Sequence, residues 1–201
     1  MTSAGSPADR RRRAAVAGHA GDVESARAAL ADADPAVRAT ALGALERLSA
    51  LTVGDLEAAL GDASSRVRHR AIEACATWPG DAGPSLLGCL DDPDASIAEV
   101  AAWASGERQP PEEGVVPALA RLVTGHEDAL VREAAVAALG AIGDEAGRPA
   151  ILAALADKAT VRRRAVLALA PFEGADVDAA LEAARADRDW QVRQAAEDLS
   201  G

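Results

Sequence analysis

The residues Asp34-Pro35-Ala36-Val37-Arg38-Ala39-Thr40-Ala41, followed by Leu42-Gly43-Ala44-Leu45, decide the fold of this 201-residue chain. The pattern Asp-x-x-Val-Arg-x-x-Ala returns at intervals of 30, 30, 34, 30 and 31 residues, counted from one valine (or the isoleucine that replaces it) to the next. A period of this length is typical of a stacked array in which each unit buries its apolar face against its neighbours. The six copies centre on Val37-Arg38, Val67-Arg68, Ile97-Ala98, Val131-Arg132, Val161-Arg162 and Val192-Arg193.

Within each copy the apolar residues repeat with helical spacing. In the first copy, Ala41 and Leu45 follow the valine by four and eight residues, so they share one face of a helix. Asp34 precedes the valine by three residues and is well placed as an N-cap. A second apolar stripe lies upstream of each motif, as Leu56 and Leu60 illustrate. Each unit is therefore predicted to consist of a helix A, a short turn and a helix B.

These residues resemble the HEAT repeat, specifically its short bacterial form known from phycobilisome-lyase-type proteins. The stretch Asp34-Pro35-x-Val37-Arg38-x-x-Ala41-x-x-x-Leu45 matches that repeat closely, and five of the six units keep the arginine. The resemblance covers roughly residues 22–201 and implies an all-α fold, an α-solenoid of about six HEAT-like helix pairs. Residues 1–21 are expected to form an N-terminal tail and a capping helix. The repeat serves scaffolds, lyases, hydroxylases and glycosylases alike, so the resemblance implies no single function.

One segment departs from the repeat. Residues 105–114 include Gly106, the consecutive prolines Pro110 and Pro111, and Gly114. Prolines and glycines break helices and lengthen connections. The segment is therefore either a hinge between two half-arrays or an insertion on one rim of the array.

The composition limits the functional classes. The net charge is −11, and the excess of acidic residues is similar before and after Ala104. A nucleic-acid binder needs a basic surface to release counterions from phosphates, so no nucleic-acid partner is expected and a DNA-repair role has the least support. The chain contains no apolar stretch of about 18 residues, so no membrane span is expected. The alanine- and arginine-rich, nearly lysine-free composition indicates a bacterial protein, for which the cytoplasm is the default location.

The recurrent arginines allow two interpretations. As a row they could form a phosphate-binding rail, or each could pair with an aspartate of an adjacent turn, such as Asp62 or Asp187. Because the arginine and a matched aspartate recur in nearly every unit, the second interpretation is favoured. Such pairs are expected to fix the geometry between repeats more than they add stability.

Function is expected where the units differ from one another. Trp103 stands six residues after the motif isoleucine, at a position where the other units have unrelated residues, so partial exposure is predicted. An exposed tryptophan is favoured as an interface anchor, although it could instead lie flat over Pro110-Pro111. Trp190 begins the last B helix and is expected to cover the end of the core. The predicted partner-binding residues are His69, Arg70, Glu73, Glu99, Trp103, Glu133 and Arg163.

The sequence offers no catalytic motif. Deoxyhypusine hydroxylase, an enzyme of this fold, holds iron with histidine–glutamate pairs on separate repeats, whereas this chain has one such pair, His126-Glu127, in a turn. No metal site and no cofactor are therefore expected. We expect a noncatalytic protein–protein interaction scaffold, monomeric, that binds a protein partner on the concave surface of the solenoid. The alternative is an accessory lyase-like or chaperone-like subunit that positions a modified protein or a cofactor.

Overall fold

The B helix of the opening motif begins as the sequence predicts. Asp34 is its N-cap, the Asp34 carboxylate accepts a hydrogen bond from the backbone N–H of Ala36 at 2.8 Å, and Pro35 takes the first helical position. An aspartate satisfies one of the free N–H groups that every helix N-terminus presents. The same cap recurs at Asp94, Asp128 and Asp189.

The computed structural model describes residues 5–79 and 83–199, and the regular structure in these ranges is entirely helical. The chain divides into two units, Met1–Pro84 and Ser85–Gly201. The described part of the first unit contains α1 (Pro7–Ala20), α2 (Val23–Ala28, continued by a 3-10 turn at Ala29–Ala31), α3 (Pro35–Arg47), α4 (Val53–Leu60) and α5 (Ser65–Ala76). After α1, therefore, α2 forms a helix pair with α3, and α4 forms one with α5.

The second unit continues the same alternation of A and B helices. Its described residues form α6 (Leu87–Leu90), α7 (Ala95–Glu107), α8 (Val115–Gly125), α9 (Ala129–Ile142), α10 (Arg148–Ala154, preceded by a 3-10 turn at Glu145–Gly147), α11 (Ala159–Ala168), α12 (Ala175–Ala184) and α13 (Trp190–Asp198). The B helices α7, α9, α11 and α13 pack against one another in this order. The all-α fold of paired helices is thereby confirmed.

The core of each repeat is built from the recurring motif positions. The motif valine or isoleucine is at most 2% exposed in all six copies, and the alanine four residues later is fully buried in all six. A larger side chain at that alanine would have to displace a neighbouring helix, because protein interiors are close-packed. The alanine positions are Ala41, Ala71, Ala101, Ala135, Ala165 and Ala196.

Two glycines in the second unit let adjacent B helices approach closely. A Cβ atom at Gly106 on α7 would lie 2.8 Å from the Cα atom of Ala138 on α9. A Cβ atom at Gly140 on α9 would lie 2.7 Å from the Cα atom of Ala168 on α11. Both contacts occupy the same positions of successive repeats, and real Cβ atoms do not approach backbone this closely. The close spacing of these B helices therefore depends on glycine, which has no Cβ atom, at these two positions.

The connection between α7 and α8 is anchored by a glutamate. Glu112 accepts a hydrogen bond from the backbone N–H of Leu86 at 3.0 Å and another from the hydroxyl of Ser85, just before α6 begins. The same carboxylate contacts Nη1 of Arg108 at 3.5 Å. The inserted segment 105–114 thus lies within the second unit and is joined to α6 by polar contacts.

Candidate functional site

The recurrent arginines connect successive A–B turns. Nη1 of Arg38 donates to the backbone carbonyl of Asp32 in its own turn at 2.8 Å, while Nε and Nη2 donate to the Asp62 carboxylate of the next turn at 2.8 and 2.7 Å. A planar guanidinium that forms two parallel bonds to a carboxylate fixes both distance and orientation. The same inter-repeat ion pair joins Arg132 to Asp157 and Arg162 to Asp187. The predicted structural role of these arginines therefore agrees with their contacts.

The first helix of the chain carries this ion pair as well, which the sequence analysis missed. Nε and Nη2 of Arg10 on α1 donate to the Asp32 carboxylate at 2.7 and 3.1 Å. The signal was present in Ser6-Pro7-Ala8-Asp9-Arg10, which aligns with Asp34-Pro35-Ala36-Val37-Arg38. Asp9 at the position of the motif valine concealed the match. By its contacts, α1 is equivalent to a B helix.

The third and fourth repeats depart from the ion-pair pattern together. In the third repeat, the fully buried Ala98 replaces the motif arginine. In the fourth repeat, His126 stands at the position of the aspartate that would pair with it. His126 still performs the local tasks of that aspartate, because its Nδ1 accepts the backbone N–H of Asp128 at 3.1 Å and its carbonyl accepts Nη1 of Arg132 at 2.7 Å. Both partners of one inter-repeat ion pair are thus replaced at once.

Acid titration is expected to weaken the inter-repeat ion pairs. The hydrogen bond from the arginine lowers the pKa of Asp62, Asp157 and Asp187, and partial burial opposes this effect only in part. A carboxylate with a lowered pKa in the folded state contributes stability that is complete above its unfolded pKa of about 3.9. That contribution is lost as the pH falls through the lower folded pKa. We therefore expect the difference in urea midpoint between the wild type and Asp157→Asn to be constant above about pH 5 and to narrow below about pH 4. A difference that stays constant down to the acid transition would contradict the assignment.

The predicted site residues of the first unit neutralise one another. Nη1 of Arg70 lies 3.2 Å from Oε2 of Glu73, and Nη2 of Arg70 contacts Glu46 on the preceding B helix. Nδ1 of His69 lies 3.7 Å from Oε1 of Glu73. The structure thus brings His69, Arg70 and Glu73 together, and Arg70 and Glu73 already have ion-pair partners inside the first unit.

The predicted site residues of the second unit lie on successive B helices. Glu99 and Trp103 are on α7, Glu133 is on α9 and Arg163 is on α11. Trp103 is 44% exposed, as predicted, and Arg163 is exposed. Glu133 already has a partner, because its Oε1 lies 3.3 Å from Nη2 of Arg164. Since these helices pack in sequence, the outward side of α7, α9, α11 and α13 is one continuous surface, here called the B-helix face.

Apolar side chains lie on this face as well. Trp103, Ala137 and Leu167 occupy the same position of three successive repeats, and none of them is fully buried. Leu130, at the start of α9, is 57% exposed. Leu167 also packs against the core, so Trp103 and Leu130 are large apolar side chains that this face exposes to solvent. Exposed apolar side chains grouped on one surface are typical of an interaction site.

The expectation that Trp190 covers the end of the core is wrong. Trp190 is 64% exposed, because it precedes the buried Val192 by two residues and therefore lies on the opposite side of α13. It lines a shallow cleft of about 220 Å³ together with Arg163, Leu167 and Gln194. Trp190 therefore adds to the B-helix face rather than to the core.

The acidic charge is concentrated in the second unit. Residues 1–84 contain eleven acidic and ten basic side chains, whereas residues 85–201 contain twenty-one acidic and eleven basic ones. A division at Ala104 hides this difference, because the structural boundary lies twenty residues earlier. The B-helix face therefore belongs to the unit that carries most of the net negative charge.

Among residues 5–79 and 83–199, no group of three or more His, Cys, Asp or Glu side chains is arranged to hold a metal ion. In the same ranges, no helix is both long enough and apolar enough to cross a membrane.

Comparison with solved structures places the fold among helical repeat proteins. The chain is similar to YibA of Escherichia coli at 19% identity and a TM-score of 0.71, over 93% of this chain and 74% of that one. A designed armadillo repeat protein in complex with peptide (KR)4 matches at 16% identity and a TM-score of 0.51, over 96% and 89% of the two chains. Human deoxyhypusine hydroxylase in complex with glycerol matches at 22% identity and a TM-score of 0.49, over 98% and 80%.

Sequence comparison identifies the family. No curated protein matches the chain. The profile of HEAT repeats, in contrast, matches residues 23–106 and again residues 83–170, which together cover well over half of the sequence. The chain therefore belongs to the HEAT-repeat family.

Proposed function

We propose that this protein is a noncatalytic scaffold that binds a protein partner on the B-helix face of its second unit. The observation that carries the proposal is Trp103, which is 44% exposed on a helix whose opposite side is fully buried. Tryptophan is enriched among the residues that dominate binding energy at protein interfaces. Leaving it exposed costs free energy of hydration, which a partner would recover by covering it.

The surroundings of Trp103 support a protein partner over other classes. Ala137 on α9 and Leu167 on α11 continue the apolar surface across the next two B helices. Glu99 on α7 and Arg163 on α11 add charges of both signs to the same face. An apolar centre with a polar rim is the usual composition of a protein interface. The net negative charge of the second unit opposes binding to nucleic-acid phosphates.

The helical repeat fold is compatible with this role. The designed armadillo repeat protein that this chain resembles in fold is in complex with a peptide. Its peptide is basic, and the second unit of the present protein carries a large acidic excess. These points support a protein segment as partner.

A photo-crosslinking experiment tests the proposal. A photoreactive amino acid replaces exposed Leu130 on the B-helix face, and the control carries it at exposed Asp178 on α12. In extract of the source organism, an adduct with one protein is expected from position 130 and not from position 178. That protein, identified and purified, should bind Trp103→Ala about 10- to 30-fold more weakly than the wild type.

Two results would overturn the proposal. Equal crosslinking from both positions would mean that the B-helix face is not the binding surface, and unchanged affinity for Trp103→Ala would remove Trp103 as the anchor. A chromophore or cofactor that co-purifies with the protein would instead support the accessory-subunit function.

A further inference from the structure

Trp103 has a glutamate one helical turn to either side. Glu99 precedes it by four residues on α7 and Glu107 follows it by four. Residues four apart on a helix are neighbours, with Cβ atoms about 6 Å from each other. Trp103 and Glu107 are exposed and Glu99 is half-buried, so the indole ring and the two carboxylates form one short row on the B-helix face.

The two glutamates differ from three other glutamates of the B helices. Glu46 and Glu73 contact Arg70, and Glu133 contacts Arg164. In the described part of the chain, Glu99 and Glu107 take part in neither a hydrogen bond nor an ion pair through their side chains. Two acidic groups therefore flank the indole ring without a cation between them.

The neighbouring residues offer no cation for this row. Helix α7 contains no lysine, arginine or histidine, and the one arginine of α9, Arg132, is engaged with Asp157. Arg108, which follows Glu107, is buried and contacts Glu112. Within the described residues, Glu99 and Glu107 thus have no ion-pair partner on α7, on α9 or at Arg108.

The chemistry of this row selects one type of side chain. A guanidinium group stacks on the face of an indole ring and at the same time donates two hydrogen bonds to a carboxylate. An apolar side chain placed on Trp103 would instead strip water from Glu99 and Glu107 without giving them a partner, which is unfavourable. We propose that Glu99, Trp103 and Glu107 form a subsite for an arginine side chain of the protein partner. This inference rests on the proposed function and names the chemistry of the partner.

The buried side of α7 makes the subsite rigid. Ala98, Ala101, Ala102 and Ala104 are fully buried, so the helix that carries the three residues is fixed by close packing. A preorganised subsite loses little conformational entropy when it binds.

A peptide titration tests the subsite. The probe is acetylated hexa-arginine amide, with hexa-citrulline amide as the uncharged control of the same shape. Binding is followed by the indole N–H signals of Trp78, Trp103 and Trp190 in ¹H–¹⁵N NMR spectra, each assigned by substitution. We expect a saturable shift of the Trp103 signal with hexa-arginine and none with hexa-citrulline.

Matched variants separate the subsite from general attraction to an acidic unit. Glu99→Gln and Glu107→Gln should each weaken hexa-arginine binding about threefold, and Trp103→Leu should weaken it to a similar extent. Glu113→Gln removes the same charge from an exposed position on the same unit and should leave the affinity unchanged. Equal weakening by Glu113→Gln, or a shift confined to the Trp78 or Trp190 signal, would overturn the arginine subsite.

The peptide titration and the crosslinking experiment can fail independently of each other. Suppose that a partner crosslinks at position 130 but the Trp103 signal does not shift when hexa-arginine is added. The proposal of an arginine subsite is then wrong, whereas the proposal that the B-helix face binds a protein is supported. If hexa-arginine binds at Trp103 while no protein crosslinks at position 130, the scaffold function is wrong and the subsite stands.

Discussion

Replacing Gly140 with valine is expected to lower the free energy of unfolding by about 3 kcal/mol or more. Even a Cβ atom at Gly140 would lie 2.7 Å from the Cα and Cβ atoms of Ala168 and 3.0 Å from its carbonyl oxygen. Because most of this contact is backbone, no side-chain rotation can relieve it, and α9 and α11 must separate. The melting temperature of the second unit should fall by roughly 6 to 12 °C.

Gly125 provides the matched control. It is the last residue of α8, and a Cβ atom there would have no neighbour within 4 Å. Gly125→Val should therefore change the free energy of unfolding by less than about 1 kcal/mol. Urea denaturation followed by circular dichroism measures both variants. An equal loss in the two would show that the helix spacing does not depend on Gly140.

Removing one aspartate of an inter-repeat ion pair is expected to have the second large effect. In Asp187→Ala, the guanidinium of Arg162, only 7% exposed, loses both carboxylate bonds and keeps the single backbone acceptor in its own turn. Breaking a well-buried pair by removing one partner typically costs about 3 to 5 kcal/mol. Asp187 itself is 16% exposed, so solvent screening reduces our expectation to roughly 2 to 4 kcal/mol.

Two comparisons make this prediction specific. Asp91→Ala breaks a pair with Arg121 in which both side chains are mostly exposed, and it should cost less than about 1 kcal/mol. The double variant Arg162→Leu/Asp187→Leu should recover much of the loss, because it removes the buried charge with its partner. The chain already carries such a replacement, with Ala98 and His126 in place of one pair. If Asp187→Ala proved no more costly than Asp91→Ala, the inter-repeat ion pairs would have no structural role.

The repeating part of this structure could be predicted from the sequence because it repeats. Because the motif occurs six times, a position whose structural role is ambiguous in one copy can be assigned from the other copies. Val37 and its equivalents indicated the buried stripe, Asp34 the helix start, and Arg38 with Asp62 the inter-repeat ion pair. Each of these depends on residues within one repeat or at a constant offset in the next.

Other features depended on contacts between residues whose spacing in the sequence does not recur from one repeat to the next. The pairing of Arg70 with Glu46, which neutralises predicted site residues, arises from side chains that occur in one repeat only. The equivalence of α1 to a B helix was hidden by Asp9, which stands where the other B helices have the buried valine or isoleucine of the motif. The exposure of Trp190 likewise depends on where the last helix begins. Residues that occur once in an array must be located from the structure.

We infer that the recurring residues hold the array together, whereas Trp103, which does not recur, binds the partner. Stability and partner affinity measured on the same variant, Trp103→Ala, distinguish these two roles. This division of roles predicts a melting temperature within about 2 °C of the wild type, as expected for a surface change, together with an affinity for the crosslinked partner that is about 10- to 30-fold lower. A variant that loses stability and keeps its affinity would contradict it.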